Sequence, residues 1–144
     1  MTKPITAFSG EYEFLSNFYI APFNYCDITF DCVEVAYQAA KCPERLCEFI
    51  GKTPGQAKRH GRKVPLRADW EQEKYNVMYA LVRAKFFQNP DIASMLVATV
   101  DAELVEGNYW HDTVWGVCNG VGENHLGKIL MRVRDELRTP QHCS

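Results

Sequence analysis

The run from Trp70 to Gln88, WEQEKYNVMYALVRAKFFQ, constrains the fold more than any other stretch. It contains neither proline nor glycine, and Val77, Ala80, Leu81, Ala84 and Phe87 recur at helical spacing, with Asp69 in position to cap the start. The spacing therefore predicts one long helix. Such a helix needs a layer to pack against, and 144 residues are enough to supply one in a single domain with a real core.

Shorter elements surround it. Phe8 to Phe30 mixes aromatics with Gly10, Pro22 and Asn24, and its stretches FYI and DITF favour two or three short strands. A helix follows from Val33 to Lys41, closed by Pro43; further short helices are expected over Glu44 to Ile50, Gly55 to His60 and from Pro90 with Asn89 as its cap. The segment AELVEGN reads as a brief strand ending in a turn, and ENHLGKILMRVRDELR as a final amphipathic helix. With no repeat, linker or low-complexity tract, the fold class is α+β, mainly helical, with a small β-sheet in one compact domain over residues 1–144.

Composition narrows the function classes. Hydrophobic residues make up 47% and charged ones 24%, the balance of a folded globular chain. A net charge of −2 argues against a protein held broadly on nucleic acid, and only Lys58 to Lys63, KRHGRK, is locally basic, as solvated helix ends often are. Six cysteines, at 26, 32, 42, 47, 118 and 143, form no CxxC pair, so reduced thiols are expected rather than a structural metal. No apolar run reaches the length of a membrane span and MTKPITAFSG lacks an apolar leader, so the expected location is cytoplasmic, away from membranes.

Two places carry candidate chemistry. In VEVAYQAAK, Glu34, Gln38 and Lys41 fall within an arc of roughly 60° at about 100° per residue, so a carboxylate, a carboxamide and an ammonium form one stripe. One reading is an ordinary wet helix face, with Asp31 as N-cap and Glu34 completing a capping box. The other is a reactive stripe facing a pocket. The second place is the loop YWHDTVWGVCNGVG, rich in aromatics and glycine, where Trp110 or Trp115 either plugs the core or stacks on a base.

Six motifs occur in one order: FLSNF at Phe14 to Phe18, EVAYQAAK at Glu34 to Lys41, DW at Asp69 to Trp70, KFFQN at Lys85 to Asn89, DTVWG at Asp112 to Gly116, and GENHLGKILMRVR at Gly122 to Arg134. Together they resemble the NADAR family, also called YbiA-like N-glycosidases, over about residues 8–137. The resemblance implies a compact YbiA-like fold and hydrolysis of the N-glycosidic bond between a ribose and a nitrogen base. The substrates it implies are ADP-ribose on guanine, free or within nucleic acid, and the phosphoribosylamino-pyrimidine intermediates of riboflavin synthesis. By the same pattern Lys41 takes the place of a lysine implicated in a transient Schiff base on the ribose, alongside Glu34 and Gln38. No metal or organic cofactor is implied.

The chemistry fits those residue types. Glycosidic cleavage builds positive charge at C1′, which Glu34 or Asp112 can stabilise, and either can position water. Asn17, Gln38 and Asn124 offer donors and acceptors for ribose or base edges, with an Asx turn or cap as the plainer role of the two asparagines. Trp115 can stack on the heterocycle, with Gly116 leaving room beside it. Use of Lys41 as a nucleophile requires that desolvation outweigh the pull of Glu34 on its proton. Departures from the family pattern lie at Cys118 and Val100, where glycine is usual, and at Gly107 and Asn108; they bear on substrate choice. The competing functions are a module that binds ADP-ribose or a nucleotide without turning it over, and a purely structural domain.

Overall fold

The computed structural model describes residues 2–139. The chain folds as two compact units: Asn17–Asn89, and the flanking residues before and after it.

The Asn17–Asn89 unit begins with an antiparallel hairpin, β1 (Phe23–Tyr25) and β2 (Ile28–Phe30), in which Phe23 pairs with Phe30 and Tyr25 with Ile28. Cys26 and Asp27 make its turn at φ 53° and 65°, the left-handed values that a two-residue hairpin requires. FYI is not a strand, and the residues before it, Gly10–Leu15 of the other unit, wind as a 3-10 helix. Helix α1 (Val33–Ala40) follows β2 directly. Its N-cap is Cys32 rather than Asp31, and it carries no side-chain cap. Instead the Glu34 N–H donates to the Asn17 carbonyl at 3.0 Å, so the LSNF segment supplies from a distance what a local cap supplies elsewhere.

Pro43–Phe49 is a 3-10 helix bent at Arg45, where the sequence predicts a regular helix. Helix α2 (Pro54–Gly61) has a full capping box: Thr53 Oγ1 accepts from the Gln56 N–H, and the Gln56 side chain accepts from the Thr53 N–H. The long helix predicted from sequence is α3 (Trp70–Phe87). Asp69 holds the cap position without capping, because its carboxylate takes two hydrogen bonds from Arg67, at 2.6 and 2.9 Å.

The buried face of α3 differs from the sequence expectation. Met78, Leu81, Val82, Lys85 and Phe86 are buried, whereas Val77, Ala80, Ala84 and Phe87 are only partly covered. Apolar spacing points to the wrong side because a lysine occupies the true one. Asn89, expected to start the next helix, bonds backward with its Nδ2 to the Lys85 and Pro22 carbonyls.

The flanking unit contains α4 (Pro90–Val97), a two-residue parallel ladder of β3 (Gly107–Asn108) with β4 (Val117–Cys118), and α5 (His125–Arg138). Ile5 bridges Leu104 in parallel, tying the start of the chain to the segment that precedes β3. Arg134 of α5 is buried and donates from Nη1 to Thr99 Oγ1 and the Ala102 carbonyl, at 2.9 and 2.8 Å, holding the end of α4 in place. Cys26, Cys32, Cys42, Cys47 and Cys118 are free thiols, and Cys143 lies outside the described residues. No helix among the described residues is long and apolar enough to cross a membrane.

Leu81 is fully buried at the centre of the α3 face. Leu81→Ala is expected to lower unfolding free energy by about 2–5 kcal/mol, read from urea denaturation.

Candidate active site

Helix α1 turns its polar stripe inward. Glu34 is 7% exposed and Gln38 4%, which overturns the wet-face reading. The two are joined by a hydrogen bond from Gln38 Nε2 to Glu34 Oε1 at 3.4 Å. Gln38 Oε1 is buried without a hydrogen-bond partner among the described residues, an open acceptor in a place where such groups are normally satisfied. Lys41 is half-buried at the C-cap, its Nζ 5.7 Å from the centroid of the Tyr37 ring, which itself packs at 5.1 Å on Trp70. The Lys41 carbonyl accepts the Arg67 N–H at 2.8 Å, fixing the backbone beneath the amine.

In the competition over the Lys41 proton, burial outweighs the carboxylate. Burial pushes its pKa below the ordinary lysine value; Glu34 pulls the other way, and the charges of Arg62, Lys58 and Lys74 add to the depression. Burial is the largest of these effects.

Helix α2 packs on this stripe through a glycine. A Cβ at Gly61 would stand 2.8 Å from Gln38 Cδ and would overlap Gln38 Oε1, so only hydrogen fits there. Gly61→Ala must push Gln38 aside, and despite the better helix propensity of alanine a loss of about 1–3 kcal/mol is expected in thermal or urea unfolding.

Lys85 is the residue that sequence reasoning missed. It is 1% exposed, with Nζ 5.0 Å from the Phe86 ring centroid and 5.7 Å from that of Tyr19. Burial pushes its pKa down to about 7, against an opposing pull from Cys32. Cys32, at the start of α1, is in turn pushed up by burial, while hydrogen bonds from the Val35 and Glu34 backbone act in the other direction. The available signal was positional: Lys85 lies four residues from Leu81 and seven from Met78, on their face. Because the folded pKa lies below the unfolded one, the unfolded chain binds more protons between about pH 7 and 10.5, and stability rises with pH across that window. Lys85→Met is expected to remove this residue's share of the slope, up to about 1.4 kcal/mol per pH unit, when unfolding is measured from pH 7 to 10.

Asn17 contributes its carbonyl to the start of α1, and its Nδ2 rests 3.5 Å from Met78 Sδ. In the flanking unit, Asp112 Oδ1 accepts the N–H groups of Val114 and Trp115 at 3.1 and 2.9 Å, bracing the DTVW turn. Asn108 clamps the same residue, accepting its N–H at 3.0 Å and donating to its carbonyl at 2.9 Å. The room left by Gly116 is taken by the Glu106 side chain and the Asn108 amide, both of which a Cβ would strike. Asn124, left-handed at φ 55°, uses its amide to join backbone: Oδ1 accepts from the Glu106 N–H at 3.0 Å and Nδ2 donates to the Leu104 carbonyl at 2.9 Å. Trp115 sets its ring edge-on to His125 at 6.2 Å, and Trp110 is 48% exposed, so it does not plug the core.

The NADAR domain pattern matches residues 6–138. The chain belongs to the NADAR family. An N-glycosidase YbiA of Escherichia coli is 38% identical over 135 residues, covering 90% of this chain and 84% of that protein. A riboflavin biosynthesis protein of Vibrio vulnificus is 37% identical over 146 residues, covering 96% of this chain but 40% of the longer relative. Among solved structures, the NMR structure of E. coli YbiA superposes with a TM-score of 0.86 at 34% identity, over 96% of this chain and 86% of that one. Its YbiA-like NADAR fold is thus shared with a protein of known structure.

Proposed function

We propose that this chain is an N-glycosidase that hydrolyses the bond between a ribose and a nitrogen base in a small nucleotide-type substrate, with Lys41 as amine nucleophile and Glu34 as its acid–base partner. The observation that supports this most is the pairing of a desolvated lysine with a buried carboxylate on one helix. The names of the relatives, N-glycosidase and riboflavin biosynthesis protein, point to the same class of reaction.

The reaction runs through the open sugar. Glu34 gives a proton to O4′ as the C1′–O4′ bond breaks, and the base nitrogen holds C1′ as an iminium. Neutral Lys41 adds to C1′, a proton passes from its nitrogen to the base nitrogen, and the base leaves as a neutral amine, so that C1′ is now a protonated imine on Lys41. Water adds with proton transfer to Glu34, the Lys41–C1′ bond breaks, and the sugar leaves as its aldehyde and recloses. Net consumption is one water. Gln38, whose amide oxygen has no hydrogen-bond partner among the described residues, enters as a ribose contact through the family pattern.

Two substrates present the required exocyclic amine: guanine carrying ADP-ribose, which we place first, and a phosphoribosylamino-pyrimidine. Asn17, Asp112, Trp115, Gly116 and Asn124 enter the proposal through the family pattern. For Asp112, turnover of Asp112→Asn is read beside its thermal midpoint, because Oδ1 also braces a turn.

Purified protein incubated with each substrate is expected to release ADP-ribose or ribose phosphate, and borohydride added during turnover to fix a sugar on Lys41. Lys41→Met should lose at least about a hundredfold in kcat, the range assigned to loss of a nucleophile or general base. The rate should rise with pH to a plateau at a pKa below that of ordinary lysine, since burial depresses it. Undiminished turnover in Lys41→Met ends the assignment. Binding without product in the wild type would make the chain a nucleotide-binding module instead.

A further inference from the structure

Tyr37 has no part in the steps above, yet its ring lies beside the atom on which they turn. At about 100° per residue it stands roughly 40° from Lys41 and 60° from Glu34 around α1, four positions before the one and three after the other. Lys41 Nζ lies over the ring, 5.7 Å from its centroid, within reach of a cation–π contact. The ring is buried, whereas the amine is half-buried.

Trp70 sets the plane of that ring. It is buried and packs on Tyr37 with centroids 5.1 Å apart and planes at 54°. The Trp70 N–H donates to the Arg67 carbonyl at 3.1 Å, and the Arg67 N–H donates to the Lys41 carbonyl at 2.8 Å. One stretch of chain, Arg67 to Trp70, thus holds the ring and the backbone of the lysine together, so the ring face is set toward the amine before any substrate arrives.

The reaction proposed above puts a positive charge at this point, the protonated imine on Nζ. A carboxylate beside that nitrogen favours the cation but can also take its proton, and an imine without its proton is a poor target for water. A ring face attracts the cation and accepts no proton. It attracts the resting ammonium too, but the two gains differ. A sugar joined at Nζ displaces water that reaches a half-buried amine, and a desolvated cation gains more from a ring than a hydrated one.

We propose that the face of Tyr37 stabilises the protonated imine at Lys41 Nζ. The inference deepens the glycosidase reading and rests on it for the imine itself.

The test uses the full chain with Tyr37→Phe, and then with mono-, di- and trifluorinated phenylalanine at the same position, since fluorine draws charge from the ring face at nearly constant shape. Two quantities are followed along the series. One is the single-turnover rate at which borohydride-fixed sugar appears on Lys41, with each of the two substrates, on the plateau of the pH profile where Lys41 is neutral throughout. The other is the pKa of Lys41, from the pH dependence of its acetylation read by peptide mass spectrometry. Tyr37→Phe is expected within about twofold of the wild-type rate, and the trifluorinated ring roughly three- to thirtyfold below it, with a stepwise fall between them. The Lys41 pKa is expected to fall along the same steps, while thermal midpoints stay together. A rate that does not fall with fluorination overturns the proposal, whether or not the pKa moves. Where neither substrate is turned over even by the wild type, it is the glycosidase reading that fails, and the pKa series alone decides the ring: a stepwise fall keeps its contact with the Lys41 cation, and a constant value removes it.

Discussion

Dehydration of the polar stripe on α1 is the constraint on which the proposed chemistry depends. Glu34 and Gln38 lie under cover although both would be better solvated outside, and Lys41 is partly withdrawn with them. Within that stripe the withdrawal of water from an ammonium opposes the attraction of a carboxylate a few residues away, and withdrawal prevails. A solvated helix of identical sequence would have the reverse order, because water would hold the ammonium and weaken the pair alike. The lowered pKa of Lys41 is therefore a property of the layer packed over α1 rather than of the residue type.

The flanking unit solves a different problem, the shape of an aromatic and glycine-rich loop. It does so with short polar side chains that replace secondary structure: Asn108 spans Glu106 and Asp112, Asp112 braces its own turn, and Asn124 joins Leu104 to Glu106. Each side chain supplies a backbone with the partner that a sheet of ordinary length would provide. Tyr109 and Trp110, edge to face at 5.1 Å, are left outside this frame and exposed.

Elements are legible in the sequence wherever local signals agree. Pro54 with Thr53 and Gln56 marks α2, and the run without breakers marks α3. What fails is orientation. The face of α3 is misread because Lys85 is buried, and hydrophobic periodicity counts lysine as solvent-facing. Local rules put the cap of α1 on Asp31, since nothing in them shows that the Asn17 carbonyl, far away along the chain, occupies that role. Of the site residues, the trio on α1 is visible as a stripe, yet periodicity alone favours the solvent; the family motifs turn it inward, and its burial agrees with them. Gly61 passes as a helix terminus, since its partner Gln38 belongs to another helix.

That contact between Gly61 and Gln38 ties two positions together in descent. A chain of this fold that keeps the carboxamide at 38 packs it best against hydrogen at 61, and one that acquires a side chain at 61 must move the amide opposite or shorten it. The pair thus couples two helices through one contact: a larger residue at 61 displaces the amide at 38 even where the lysine three positions on is unchanged.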